Sequence, residues 1–143
     1  MLRWSEEFET GHSLIDTQHK TLVNHINRLE GMSVITNPTR EDVEFILKLL
    51  NFVETYVDVH FRLEEDCMES YRCPAHHENK EAHGKFMIFF GEFKQRFETE
   101  GFRQEVLIGF HKACSTWIQQ HIMRIDVQLK PCLVGKSAAG LPE

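Results

Sequence analysis

The chain is short of basic residues and proline and has no long apolar run, and each shortage narrows what it can be. Lys and Arg number 16 against 22 Asp and Glu, a formal net charge of −6. That balance excludes a general nucleic-acid binder, which neutralises phosphates with clustered Lys and Arg. No stretch approaches the roughly 18 consecutive apolar residues of a membrane-spanning helix. The opening MLRWSEEFETG lacks the basic and apolar regions of a signal peptide, so the expected location is cytoplasmic. The four cysteines, Cys67, Cys73, Cys114 and Cys132, show no CxxC spacing. A helical chain of 143 residues needs no disulfide framework, and the four are expected to be reduced thiols. No alternating strand pattern and no internal repeat is present.

What remains is helical periodicity. A first helix is expected from about Leu14 to Glu30, with Ile15, Leu22, Ile26 and Leu29 as its apolar stripe and Gly31 as its stop. A second runs from about Arg40 to Ser70, opened by Thr39 as N-cap with Asp42 three residues on. Cys73-Pro74 breaks the chain. A third helix runs from Ala75 or His76 to Thr99, and a fourth from about Arg103 to Leu129, ended by Pro131. Four such helices with short loops imply an all-α, antiparallel up-down-up-down four-helix bundle with a short N-terminal extended arm. The domain is expected to span residues 1–132, with 133–143 as a flexible tail or linker to a further domain.

Each expected helix carries an imidazole on the stripe that should be apolar. On the second, Ile46, Leu50, Val53, Val57, His60 and Glu64 follow one another in steps of 4, 3, 4, 3 and 4, so all share one face. His19 lies between Ile15 and Leu22, His83 heads the stripe of the third helix, and His121 continues Leu107, Phe110, Cys114 and Trp117 with Asp126 five residues later. Buried imidazoles and carboxylates without partners cost several kcal/mol each. A lone inward histidine is usually a hydrogen-bonded core residue, but one from every helix, two of them with an acid nearby, calls for a shared ligand. Imidazole with carboxylate suits iron, manganese or zinc, and two carboxylates able to bridge suggest two metals. His12 and His111 are expected at the surface or behind the ligands, His25 in a structural role, and His76 and His77 in solvent on the first turn of the third helix.

These residues resemble the hemerythrins, specifically the bacterial hemerythrin-like domains. The resemblance covers roughly residues 3 to 130 and rests on Trp4, Gly11, Ile15, Asp16, Gln18 and His19, then HFRLEE from His60, HGKF from His83, and WIQQHIMRID from Trp117 to Asp126. It implies two non-heme iron ions with an oxo or hydroxo bridge. His19 and His60 would serve one iron and His83 and His121 the other, with Glu64 and Asp126 bridging. It also implies an apolar dioxygen pocket at Leu22, Trp117 and Ile122. The family places an H-x-x-x-H pair on the third helix, and the first histidine of that pair falls on Asn79, 15 residues after Glu64.

Asn79 is therefore a doubtful seventh metal position. Water or the Asn79 oxygen could fill it, or His77, Glu78 or His76 could substitute, or the second metal could be held weakly. His76 lies seven residues before His83, roughly 10 Å along the axis, too far for the same metal from a regular helix. A further open position admits water and anions, so ready autoxidation is expected. The functional expectation is a non-enzymatic domain that binds dioxygen or responds to redox state, serving as the sensory part of a larger signalling protein with a C-terminal output domain. The alternatives are a free-standing dioxygen carrier, a diiron peroxidase or oxidase, and an iron or zinc storage bundle.

Overall fold

The computed structural model describes residues 1–136. Its main elements are α1 (Ser13–Ser33), α2 (Arg40–Ser70), α3 (His76–Glu100), α4 (Gln104–Arg124) and a short α5 (Leu129–Lys136). They form the expected four-helix bundle, with no strand among the described residues. The N-terminal arm holds a 3-10 turn at Glu6–Phe8. It is tied to α1 by the Leu2 N–H donating to Asn27 Oδ1 (3.1 Å) and Asn27 Nδ2 donating to the Leu2 carbonyl (2.9 Å).

The helix starts follow local chemistry. Thr39 and Asp42 make a reciprocal capping box at the head of α2 (3.1 and 2.9 Å), which satisfies two backbone donors that a helix start otherwise leaves exposed. At α1 the cap is His12, whose Nδ1 accepts the Ile15 N–H at 3.3 Å. Asp16 accepts from the Thr10 N–H and Thr10 Oγ1, both at 2.8 Å, and pins the arm to the same helix start.

Two expected helix ends move. Gly31 does not stop α1, which continues to Ser33. The left-handed conformation that would make a glycine a stop occurs at Gly11 and Gly101 and not there. The fourth helix does not run to Leu129. It ends at Arg124, a 3-10 turn covers Asp126–Gln128, and α5 follows. Pro131 lies inside α5 rather than ending a helix, because a proline in the first turn lacks only a donor that the turn does not use. α5 also runs past the boundary expected after residue 132, and the remainder of the expected tail lies outside the described residues.

The core follows the stripes. Ile15, Ile26, Leu29, Ile46, Leu50, Val53, Val57 and Leu107 are fully buried. The α1–α2, α2–α3 and α1–α4 pairs approach closely, whereas α3 and α4 stand further apart. Aromatic rings fill that gap. Phe93 stacks on Phe110 with centroids 3.7 Å apart, Phe90 meets Phe110 edge-on at 5.2 Å, and Phe86 lies 4.3 Å from Trp117. Each buried phenylalanine contributes about 1.5–3 kcal/mol from area alone. Phe90→Ala is therefore expected to lower unfolding stability by about 3–5 kcal/mol. Ile88→Ala, at a site 65% exposed, should stay within about 0.5 kcal/mol. Denaturant titration of both variants checks this, and equal losses would contradict the placement of the aromatic column.

Candidate metal centre

Toward the end of the bundle where α2 turns into α3, the apolar stripes give way to polar side chains that are nevertheless buried. His19, His60, Glu64, Asn79, His83, His121 and Asp126 are all 6% exposed or less. α1 supplies His19, α2 supplies His60 and Glu64 one turn apart, α3 supplies Asn79 and His83 one turn apart, and α4 supplies His121. Asp126 comes from the 3-10 turn after α4. On a regular helix a five-residue step rotates by about 140°, which would aim Asp126 away from His121. Ending α4 at Arg124 re-aims it, and Asp126 Oδ1 reaches 3.0 Å from His121 Nε2.

The two carboxylates face both sides of the centre. Glu64 Oε2 lies 3.1 Å from His19 Nε2 and 3.5 Å from His60 Nε2. Its other oxygen, Oε1, lies 3.1 Å from His83 Nε2. Asp126 repeats the pattern, with Oδ2 3.2 Å from His19 Nε2 and Oδ1 turned to His121. The donor atoms fall into two groups able to hold a cation, His19–His60–Glu64 and Glu64–His83–His121–Asp126.

The chemistry of this donor set fits a cation. Asp126 Oδ1 is buried and accepts no hydrogen bond even though His121 Nε2 is so near. His121 Nε2 also lies 3.1 Å from His83 Nε2 and 2.8 Å from Asn79 Oδ1. More lone pairs converge than there are protons to share among them, which positive charge at the convergence point resolves. Two of the outer nitrogens are held as those of metal-binding histidines usually are, whereas His19 Nδ1 is buried without a hydrogen-bond partner. His60 Nδ1 pairs with Gln18 Oε1 at 2.7 Å and His83 Nδ1 with Glu65 Oε2 at 2.8 Å, which fixes each ring with its Nε2 aimed inward. Phe61 stacks flat on His83 at 3.8 Å and Trp117 on His121 at 4.4 Å.

Burial alone would keep His19 neutral. Hydrogen bonds to Asp126 and Glu64 outweigh it and push its pKa up to about 10. Burial likewise opposes charge on Glu64, but the three histidines around it hold its carboxyl well below the usual range. His83 moves up, with burial overcome by Glu64 and then Glu65.

Asn79 is aimed into the centre rather than away from it. Its Nδ2 donates to Glu64 Oε1 (3.0 Å) and contacts Met68 Sδ (3.3 Å), while Oδ1 faces His121. His77 and Glu78 are exposed, and His77 lies within 3.8 Å of Glu81 on its own helix. His76 stands near Glu69. None of the three substitutes is brought to the centre. His12 and His111, expected at the surface or behind the ligands, are both buried, the first as a helix cap and the second beside Ser115 Oγ at 3.2 Å. His25 packs on Phe52 and Tyr56. Leu22, Trp117 and Ile122 line a cavity of about 10 Å³ against His19 and His60, together with Phe61 and Ile118. That is room for one water-sized molecule. Phe61, Gln18 and Glu65 are the site residues whose roles the spacing did not reveal. Only the adjacent Glu64-Glu65 pair hinted at Glu65, and its partner His83 lies on another helix.

A buried centre of imidazoles and carboxylates in a four-helix bundle defines a class of protein whose core is built to hold cations. The Hemerythrin HHE cation binding domain model matches residues 10–133, and the chain belongs to that family. It is 26% identical to the bacteriohemerythrin of Methylococcus capsulatus, over 93% of this chain and 97% of that protein. It is 27% identical to the bacteriohemerythrin of Clostridium acetobutylicum, over 88% and 96%. It is 28% identical to the hemerythrin subunit alpha of Lingula reevii, over 89% and 91%.

Two outcomes follow for metal binding. A cation must displace the proton on His19, so loading the metal-free protein with ferrous iron or zinc at pH 7 should release protons, and affinity should fall as pH falls. A pH indicator in weakly buffered solution reads this, and loading without proton release would contradict it. Glu65→Ala should weaken metal binding roughly 10–100-fold by freeing the His83 ring. Competition with a chelator measures the loss, and an unchanged affinity would deny Glu65 that role.

Proposed function

We propose that this chain is a cytoplasmic non-heme diiron domain that binds dioxygen, and that its seventh metal position is taken by the Asn79 carboxamide oxygen. His19 and His60 would hold one iron and His83 and His121 the other, with Glu64 and Asp126 offering an oxygen to each, and the iron pair with its oxo or hydroxo group would supply the redox chemistry. The observation that carries this reading is the split of each carboxylate, one oxygen toward each histidine pair. When bound, two irons supply the electrons that dioxygen binding draws on. The residues around them do the rest. Leu22, Trp117 and Ile122 present apolar surface to the small cavity beside His19 and His60. Gln18 and Glu65 fix the rings of His60 and His83.

Asn79 sets the behaviour of the second position. A carboxamide oxygen is a weaker donor than imidazole and carries no ring to wall the site. Water and anions gain access more easily, so the centre autoxidises readily and suits sensing of dioxygen or redox state better than storage. Delivery to an attached C-terminal output domain is one route for such a signal. A free-standing carrier is the second reading, favoured by one observation. The chain spans nearly all of the Methylococcus and Clostridium relatives, so a bacteriohemerythrin can consist of little more than such a domain. Among the described residues no helix is long and apolar enough to cross a membrane.

The test is an optical spectrum of the reduced protein before and after dioxygen, with iron counted per chain. Two irons and a short-lived oxygenated spectrum are expected. Asn79→His should tighten iron binding by roughly 10-fold or more and prolong that spectrum. A long-lived oxygenated form without the substitution would sink the autoxidation reading, one iron or fewer would sink the diiron reading, and steady turnover of peroxide would make the protein an enzyme.

A further inference from the structure

Outside the metal centre, the described residues carry a second concentration of reactive groups below it, where α5 meets the turn between α2 and α3. Met68, Cys73, Ala75, Ile125 and Leu129 form a small apolar cluster there, with Cys67 and Cys132 packed against it. The thiols of Cys73 and Cys132 donate to the same acceptor, the backbone carbonyl of Gln128, each at 3.5 Å. The two sulfurs are therefore no further apart than twice that distance. They come from segments 59 residues apart in sequence, so the encounter is made by the fold and not by local chain geometry. No two sulfurs are bonded to each other, and Cys114 lies fully buried in the main core.

We propose that Cys73 and Cys132 are a redox-active dithiol, oxidised by peroxide to a disulfide that staples α5 to the α2–α3 turn. The two thiols differ in the way such a pair requires. Cys132 is partly exposed, while Cys73 is 4% exposed. Peroxide meets Cys132 first. Its sulfur attacks one peroxide oxygen, the O–O bond breaks, and the departing hydroxide takes the Cys132 thiol proton and leaves as water. Cys132 is thereby oxidised by two electrons to a sulfenic acid. The Cys73 sulfur then attacks the Cys132 sulfur, the S–O bond breaks, and the hydroxide takes the Cys73 proton and leaves as a second water. Two thiols and one peroxide become one disulfide and two waters.

The position gives the bond a consequence. Gln128 closes the 3-10 turn that holds Asp126 in the metal centre, and α5 follows it directly. Cys73 lies between the end of α2, which carries Glu64, and the start of α3, which carries Asn79. A covalent bridge across Gln128 joins the supports of Asp126 to those of Glu64 and Asn79.

The full-length protein as purified is treated with hydrogen peroxide and, separately, with diamide, which oxidises thiols directly. Alkylation and digestion without reduction then map the sulfurs. The expected result is a Cys73–Cys132 linked peptide with either oxidant, loss of two of the four thiols, and recovery of both with dithiothreitol. The backbone amides of α5 should exchange hydrogen more slowly in the oxidised form. Cys132→Ser, at a partly exposed position, should abolish the link and leave Cys73 open to alkylation. A Cys67–Cys73 link, a bond between two molecules, or no linked peptide after diamide overturns the pairing. A link made by diamide but not by peroxide overturns the peroxide step. The readout is a covalent bond rather than iron content or an oxygenated spectrum, so its failure is distinct from failure of the diiron reading.

Discussion

The Glu64 carboxylate is the group on which the arrangement depends. It is completely buried and ionised, a state that costs several kcal/mol unless the charge is answered. Three histidines and Asn79 answer it from three helices, His60 on its own and the others on α1 and α3. Removing any one leaves part of that cost uncovered. The centre thus acts as a polar cross-link near the α2–α3 end of the bundle, and it constrains the register in which α1, α2 and α3 pack. Metal binding would not add a site to a finished fold, since the same groups able to hold a cation hold the helices in alignment.

Asp126 shows how the backbone bends to this demand. A helix continued through Ile125 keeps its hydrogen bonds but turns the carboxylate aside. The chain instead shortens α4, tightens into a 3-10 turn and restarts as α5, with Ile125 and Leu129 buried below the break. Apolar burial on one side and a carboxylate on the other hold the irregular segment in place. Cys73 and Cys132 sit against the same segment, so the part of the chain that departs most from regular helix is also where the second reactive cluster lies.

Asn79 occupies a place where the family resemblance led one to expect histidine, and the structure gives it work of another kind. It donates to Glu64 and presents its oxygen to His121, so it satisfies partners on both sides of the centre without a ring. A residue that only filled space would leave the Glu64 oxygen on that side with one partner fewer. The substitution therefore retains the polar connectivity of the core while changing the donor offered to a metal.

Much was legible along the chain because helical periodicity is a local property. The stripe from Ile46 to Glu64 placed two metal-centre residues on one inward face before any tertiary contact was known, and Thr39 with Asp42 marked a helix start through bonds made within four residues. The residues aimed at one point from separate helices could be nominated this way, since each lies on its own helix's apolar face. What the sequence by itself could not determine were features that exist only between segments. The break at Ile125, the partners of His60 and His83, the burial of His12 and His111, the role of Phe61 and the meeting of Cys73 with Cys132 all depend on which helices become neighbours. Periodicity says which way a side chain faces, whereas the packing of the bundle decides what it meets there.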